Sequence, residues 1–180
     1  MRDFQLPGRS PVRTTDVMVA TSHPLSTQAA LDILRAGGNA VDAAVCASAV
    51  QAVVEPHSTG IGGDCFALYC PRGTAKVLAL NGSGRSPAGA SIDSFRAMGM
   101  DEVPTYGPHS VTIPGAIDAW DRLIRDHGRM TLAEVLTHAI KYAENGYVVH
   151  DRVALDWADA VSLLSDDEHY ASIFVHDGEP

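Results

Sequence analysis

Several features that would assign this sequence quickly are scarce or missing. It holds only three cysteines in 180 residues, Cys46, Cys65 and Cys70. That odd number, without metal-ligand spacing, reads as reduced, partly buried thiols instead of a disulfide framework or a metal cluster. Positive charge is short as well: 13 Lys and Arg against 22 Asp and Glu give a net charge of -9. With no basic run, this argues against nucleic acid and anionic membrane surfaces as partners. No apolar span reaches twenty residues, so no membrane helix is expected. Residues 1–10 contain Arg2 and Arg9 but no apolar segment of a secretory signal. A cytoplasmic protein is therefore expected if Met1 is the true start, with the periplasm open if it is not.

Common catalytic and cofactor signatures are missing too. None of the eight histidines forms a zincin pattern with a carboxylate, and each reads as a solvated or capping residue, so no metal is expected. Gly82-Ser83-Gly84 lacks the five-residue spacing and following helix of a nucleophile elbow. The glycines at 60, 62 and 63 precede a strand pattern instead of opening a helix, which excludes a dinucleotide or Walker loop and leaves no cofactor implied. Asp166, Asp167 and Glu168 are consecutive, a solvated acidic turn and not a paired acid and base. There is no internal repeat.

What is present is globular: 46% hydrophobic and 19% charged residues are enough for one core. A polar arm over residues 1–17 leads to an apolar run at 18–20, read as an edge strand. A helix follows over 27–35 behind Ser26 as N-cap, stopped by Gly37-Gly38. Asn39 caps a second helix running to Val54, broken by Glu55-Pro56. That helix is small and apolar nearly all round, which predicts burial against other elements. Residues 65–70 and 76–80 read as a hairpin around the turn 71–74. A short helix near 92–98, an irregular loop over 99–113 and a helix from Pro114 to about His127 come next. Thr131 and Glu134 form a capping box for a helix ending before Gly146, another helix spans 151–164, and residues 172–175 are strand-like. The fold class is α+β, helices packed on an antiparallel sheet.

The stretch from 60 to 87 carries the chemistry on offer. Asn81, Gly82 and Gly84 tolerate φ > 0 at the exit of the second strand. Inward-turned N–H groups there would form an anion-binding nest, with the Arg85 guanidinium beside it. The other reading makes residues 81–87 a turn that only redirects the chain. Asp64 reads as a turn-stabilising residue, and His57 as the best placed of the histidines to orient a loop.

These motifs resemble a known family. The string Gly37-Gly38-Asn39-Ala40-Val41-Asp42-Ala43-Ala44, with Gly60-Ile61-Gly62-Gly63-Asp64, is similar to the N-terminal part of gamma-glutamyltranspeptidases. Ser110-Val111-Thr112-Ile113-Pro114-Gly115 and Gly128-Arg129-Met130-Thr131-Leu132 support the likeness, which covers roughly residues 17–180. The resemblance implies a partial αββα sandwich of the N-terminal-nucleophile hydrolase type. It implies a precursor that cuts itself to expose a threonine, whose hydroxyl attacks a small amide while its own α-amine serves as base. No Thr-Thr-His-like string occurs here, since Thr14-Thr15-Asp16 lies in the wrong region. The chain therefore reads as one incomplete domain over 1–180, with 18–180 the front of the large subunit and no catalytic residue in this chain. Alone it is expected to be inactive, its partners being the remainder of the large subunit, the small subunit and a small-molecule amide. The alternative is a non-catalytic binding or structural domain on the same scaffold.

Family transferases carry an Arg-Glu pair ahead of Ala-Pro, and alignment on Pro87 puts Ser83 and Gly84 there. Arg85 is displaced by two positions, which in a strand keeps the same face. Arg85, with Ser83 and Asn81, is thus the candidate substrate-binding set, against the reading of Arg85 as a surface charge. Asn81-Gly82-Ser83-Gly84-Arg85 resembles the acylase and amidohydrolase branch, including oxamate-type enzymes.

Overall fold

The structure, a computed structural model, describes residues 11–164 and 167–177. The expectations placed on residues 1–10, Asp166 and residues 178–180 lie outside them. Two helices come first, α1 (Pro24–Arg35) and α2 (Ala40–Val54), then a hairpin of β1 (Cys65–Tyr69) and β2 (Leu78–Gly82). The remainder is helical: α3 (Ile92–Ala97), a single 3₁₀ turn (Pro108–Ser110), α4 (Ala116–His127), α5 (Leu132–Asn145), α6 (Asp151–Leu164) and α7 (Glu168–Phe174).

The core forms around α2 as its composition requires. Val45, Cys46, Val50 and Val54 are buried, packed by α1 on one side and by α4 and α5 on the others. Small side chains at Ala43, Ala47 and Ala49 let these helices approach closely. The N-terminus of α2 is a capping box: Asn39 Oδ1 accepts from the Val41 and Asp42 N–H groups, and Asp42 accepts from the Asn39 N–H. Asp42, fully buried, also accepts from the backbone N–H of Arg129 and Met130, which ties the α4–α5 corner to α2.

β1 and β2 pair antiparallel, Cys65 opposite Gly82 and Tyr69 opposite Leu78. Cys65, Ala67, Tyr69 and Leu80 pack toward the core helices, and α4 lies beneath both strands. Phe66 and Leu68 point the other way and are 68% and 80% exposed. Among the described residues the sheet is therefore covered on one face only.

Five expectations need correction. Residues 18–20 form no strand, and Met18 and Ala20 are exposed. β2 runs two residues later than its apolar pattern suggests, because the turn is longer and the register brings Gly82 to Cys65. α1 starts at Pro24, capped by His23, whose Nδ1 accepts the Leu25 N–H at 3.1 Å; Ser26 turns inward to the Ala47 carbonyl. α4 begins at Ala116, not Pro114, since Gly115 is its cap. The strand-like residues 172–174 are helical in α7: Asp167 accepts the Tyr170 N–H as N-cap, and Phe174 packs against Tyr170 and Trp157.

Candidate functional site

Three chain segments meet at one end of the hairpin: residues 60–64 ahead of β1, residues 82–86 after β2, and residues 113–116 at the start of α4. The ladder explains the meeting. Cys65 pairs with Gly82, so Asp64 faces Ser83 just beyond the last rung. The Gly63 carbonyl accepts the N–H groups of Gly115 and Ala116 at 3.0 and 2.9 Å, satisfying the first turn of a helix that has no side-chain cap. The Asp64 carboxylate accepts the Gly84 N–H at 2.9 Å and faces the Ser83 hydroxyl at 3.5 Å. The Ser83 N–H is taken by Asn81 Oδ1 at 2.9 Å, an Asx turn. The Ile113 N–H donates to the Arg85 carbonyl at 3.0 Å.

The glycines here serve close approach, not left-handed backbone. Gly82 and Gly84 both have negative or extended φ, which corrects the expectation of φ > 0. A Cβ on Gly84 would stand 1.7 Å from the Ile113 carbonyl oxygen, and one on Gly115 would stand 2.3 Å from that of Gly82. The turn is also not an open anion nest. Its Ser83 and Gly84 N–H groups are bonded to Asn81 and Asp64, so an incoming anion meets no free pair.

The three candidate residues sit close in sequence but do different things. Asn81 holds the turn and lines a cavity of about 440 Å³ between the hairpin and α4, with Tyr69, Leu80, Asp118 and His127. Ser83 faces Asp64. Arg85 is exposed, lies beyond the end of β2 and makes no side-chain hydrogen bond or ion pair among the described residues. Strand alternation therefore does not set its direction. A second cavity of about 360 Å³ opens past it, lined by Ser86, Phe95, His109 and Thr112.

Other reactive groups are structural. Burial, followed by Asp32, pushes the Cys46 thiol up to about 12, and burial raises Cys65 despite the Trp120 indole beside it. Neither is a ready thiolate. Cys70 is exposed and free. His23 and His150 stack at 4.5 Å where α1 meets α6, each accepting a helix N-terminal N–H through Nδ1. His57 Nε2 stands 3.8 Å from Asp156, and its Nδ1 is buried without a partner. Among the described residues no His, Cys, Asp or Glu group is arranged to hold a metal ion, and no helix is long and apolar enough to cross a membrane.

A sequence model of the Gamma-glutamyltranspeptidase family matches residues 26–180. The chain belongs to the gamma-glutamyltranspeptidase family. The glutathione hydrolase-like YwrD proenzyme of Bacillus subtilis (strain 168) is 41% identical over 166 residues, 92% of this chain and 31% of that protein. Among solved structures, the gamma-glutamyltranspeptidase of Helicobacter pylori superposes with a TM-score of 0.85 at 28% identity, over 93% of this chain and 49% of that one. A cephalosporin acylase from Bacillus halodurans gives 0.83 at 40% identity, over 96% and 34%. The chain thus spans about a third of the curated relative's length. Its fold class is the α+β one read from the sequence, a partial αββα sandwich of the N-terminal-nucleophile type, with helices on one face of an antiparallel pair.

The role of Asp64 escaped the sequence reading, which made it a local turn residue. The signal was there: an Asp directly before one strand and a Ser-Gly directly after its partner become neighbours once the hairpin register is known.

Proposed function

We propose that residues 18–180, behind an arm at 1–17, form the front of the large subunit of a gamma-glutamyltransferase-like amidohydrolase or acyltransferase. The complete protein would cleave gamma-glutamyl or related small amide bonds. A threonine encoded downstream, freed by self-cleavage, would attack the amide carbonyl through its hydroxyl, its α-amine taking the proton and passing it to the departing amine. The resulting ester would then transfer its acyl group to water or to an acceptor amine. Within this scheme the present chain supplies a wall of the donor pocket and no catalytic group. Arg85 faces a donor carboxylate, with Asn81 shaping the turn and Ser83 beside it.

The observation that supports this assignment is the guanidinium of Arg85, unpaired among the described residues, on a backbone turn held from three sides. A planar, permanently charged fork without an internal partner suits a carboxylate. In the complete protein, Arg85→Ala should raise KM for an anionic gamma-glutamyl anilide roughly 10- to 100-fold, the scale of a lost charge-assisted contact. A neutral acyl anilide should be affected far less. Equal effects on both donors would remove Arg85 from the site. Replacing the downstream threonine by alanine should abolish both self-cleavage and turnover; a coding frame without such a threonine would leave the non-catalytic scaffold domain.

A further inference from the structure

The backbone around Arg85 is fixed by contacts in which its guanidinium takes no part. On its N-terminal side, the Gly84 N–H donates to Asp64 Oδ1 at 2.9 Å. On its C-terminal side, the Arg85 carbonyl accepts from Ile113 at 3.0 Å. The second contact belongs to backbone that any sequence supplies. The first depends on one side chain, carried by a segment about twenty residues away that is itself anchored through Gly63 to the start of α4. A carboxylate accepting a backbone N–H is a short, charge-assisted bond, and the Gly84 backbone lies so close to Ile113 that a Cβ there would stand 1.7 Å from the Ile113 carbonyl oxygen.

From this we infer that Asp64 is a positioning residue for Arg85: its carboxylate sets the turn from which the guanidinium reaches a donor carboxylate. The inference rests on the donor reading of Arg85 given above. Asp64 touches no substrate in this scheme. It acts by holding the Gly84 peptide, with the Ser83 hydroxyl as a second, longer contact. With Asp64 on the Gly84 N–H and Asn81 on the Ser83 N–H, the turn's own donors are occupied and the donor's anionic group is left to Arg85 alone. This predicts a site that binds monoanionic donors through one fork and not through a backbone cradle.

The test uses the complete protein with Asp64→Ala, Asp64→Asn, Arg85→Ala and the double variant Asp64→Ala with Arg85→Ala, each assayed on an anionic and a neutral anilide. Asp64→Ala should raise KM for the anionic donor about fivefold or more, the scale of one hydrogen bond, with little change in kcat. Asp64→Asn keeps an acceptor oxygen facing Gly84 and should restore most of the KM, which separates position from charge. In the double variant, losing Asp64 should add nothing to losing Arg85. If Asp64→Ala lowers kcat on both donors equally, or changes neither parameter, or adds fully to Arg85→Ala, Asp64 does not position Arg85. If Arg85→Ala shows no donor selectivity, the donor reading itself falls and takes this inference with it. Selectivity in Arg85→Ala with none in Asp64→Ala overturns the inference alone.

Discussion

Helix α2 and the outer face of the hairpin are both written in apolar residues, yet they end up in opposite surroundings. Val50 on α2 is fully buried, whereas Leu68 on β1 is 80% exposed. The difference is not hydrophobicity but what the same chain places opposite each. α1, α4 and α5 all pack on α2, while the described residues put nothing over Phe66 and Leu68. Burial is a property of the partner as much as of the residue, and two equally apolar stretches can differ entirely in what they contribute to stability.

Charge placed in the two regions sharpens that contrast most. Val50→Asp puts an unpaired carboxylate among apolar neighbours and should cost about 4 kcal/mol or more, enough to abolish a cooperative thermal transition. Were the variant to melt like the parent, α2 would not be the core.

Acid probes the same contrast more gently. Burial, then the stacked His150, lowers the pKa of His23 against the opposing pull of Glu55. The folded state therefore resists a proton that the unfolded chain accepts near pH 6.5. Stability should fall as pH drops below that point, by at most ~1.4 kcal/mol per pH unit for this one group. Burial pushes Glu55 up, but hydrogen bonds from Ser22 and Gln51, with His23 and His57, outweigh it and keep it below the usual range. Its contribution is present at neutral pH and is lost only at lower pH, as pH falls through that depressed value. Measured as protection relative to the intrinsic exchange rate at each pH, hydrogen exchange should show α1 and α6 losing protection between pH 7.5 and 5.5 before the hairpin does. His23→Asn, which keeps a capping side chain without a titrating ring, should flatten that dependence.

The smallest effect belongs to the exposed face. Leu68→Asp should shift stability by no more than about 0.5 kcal/mol, because little leaves water there on folding. Its consequence should appear instead in light scattering, as weaker self-association of the chain. A loss of stability comparable to that of Val50→Asp would mean that the face is covered after all.

Local chemistry was legible wherever it is settled within a few residues. The capping boxes at Asn39 and Asp42, and at Thr131 and Glu134, needed only their own spacing, and both form. The all-apolar α2 announced its burial. Legibility failed where a distant segment decides. Ser26 looked like the cap of α1, but Ala47 on another helix draws its hydroxyl inward and leaves the N-terminus to His23. Residues 172–174 have strand formers, but the Asp167 cap and the aromatic contacts of Phe174 make them helical. Gly82 and Gly84 looked like turn glycines, and their true requirement is room for Ala119 and Ile113.

The candidate site divides in the same way. Arg85, Ser83 and Asn81 could be singled out by residue type and by alignment on Pro87, whereas the Asx turn of Asn81 came only with the structure. That Asp64 and Ile113 hold the turn from opposite sides could not, because it depends on hairpin register and on where α4 begins. The amino-acid sequence by itself determined α2 and α5 with their capping boxes, the family and the residue types available at the turn, since these follow from neighbours along the chain. Only the tertiary structure decided which apolar face is covered, why the glycines are glycines and what fixes Arg85, since each is a contact between segments that meet only on folding.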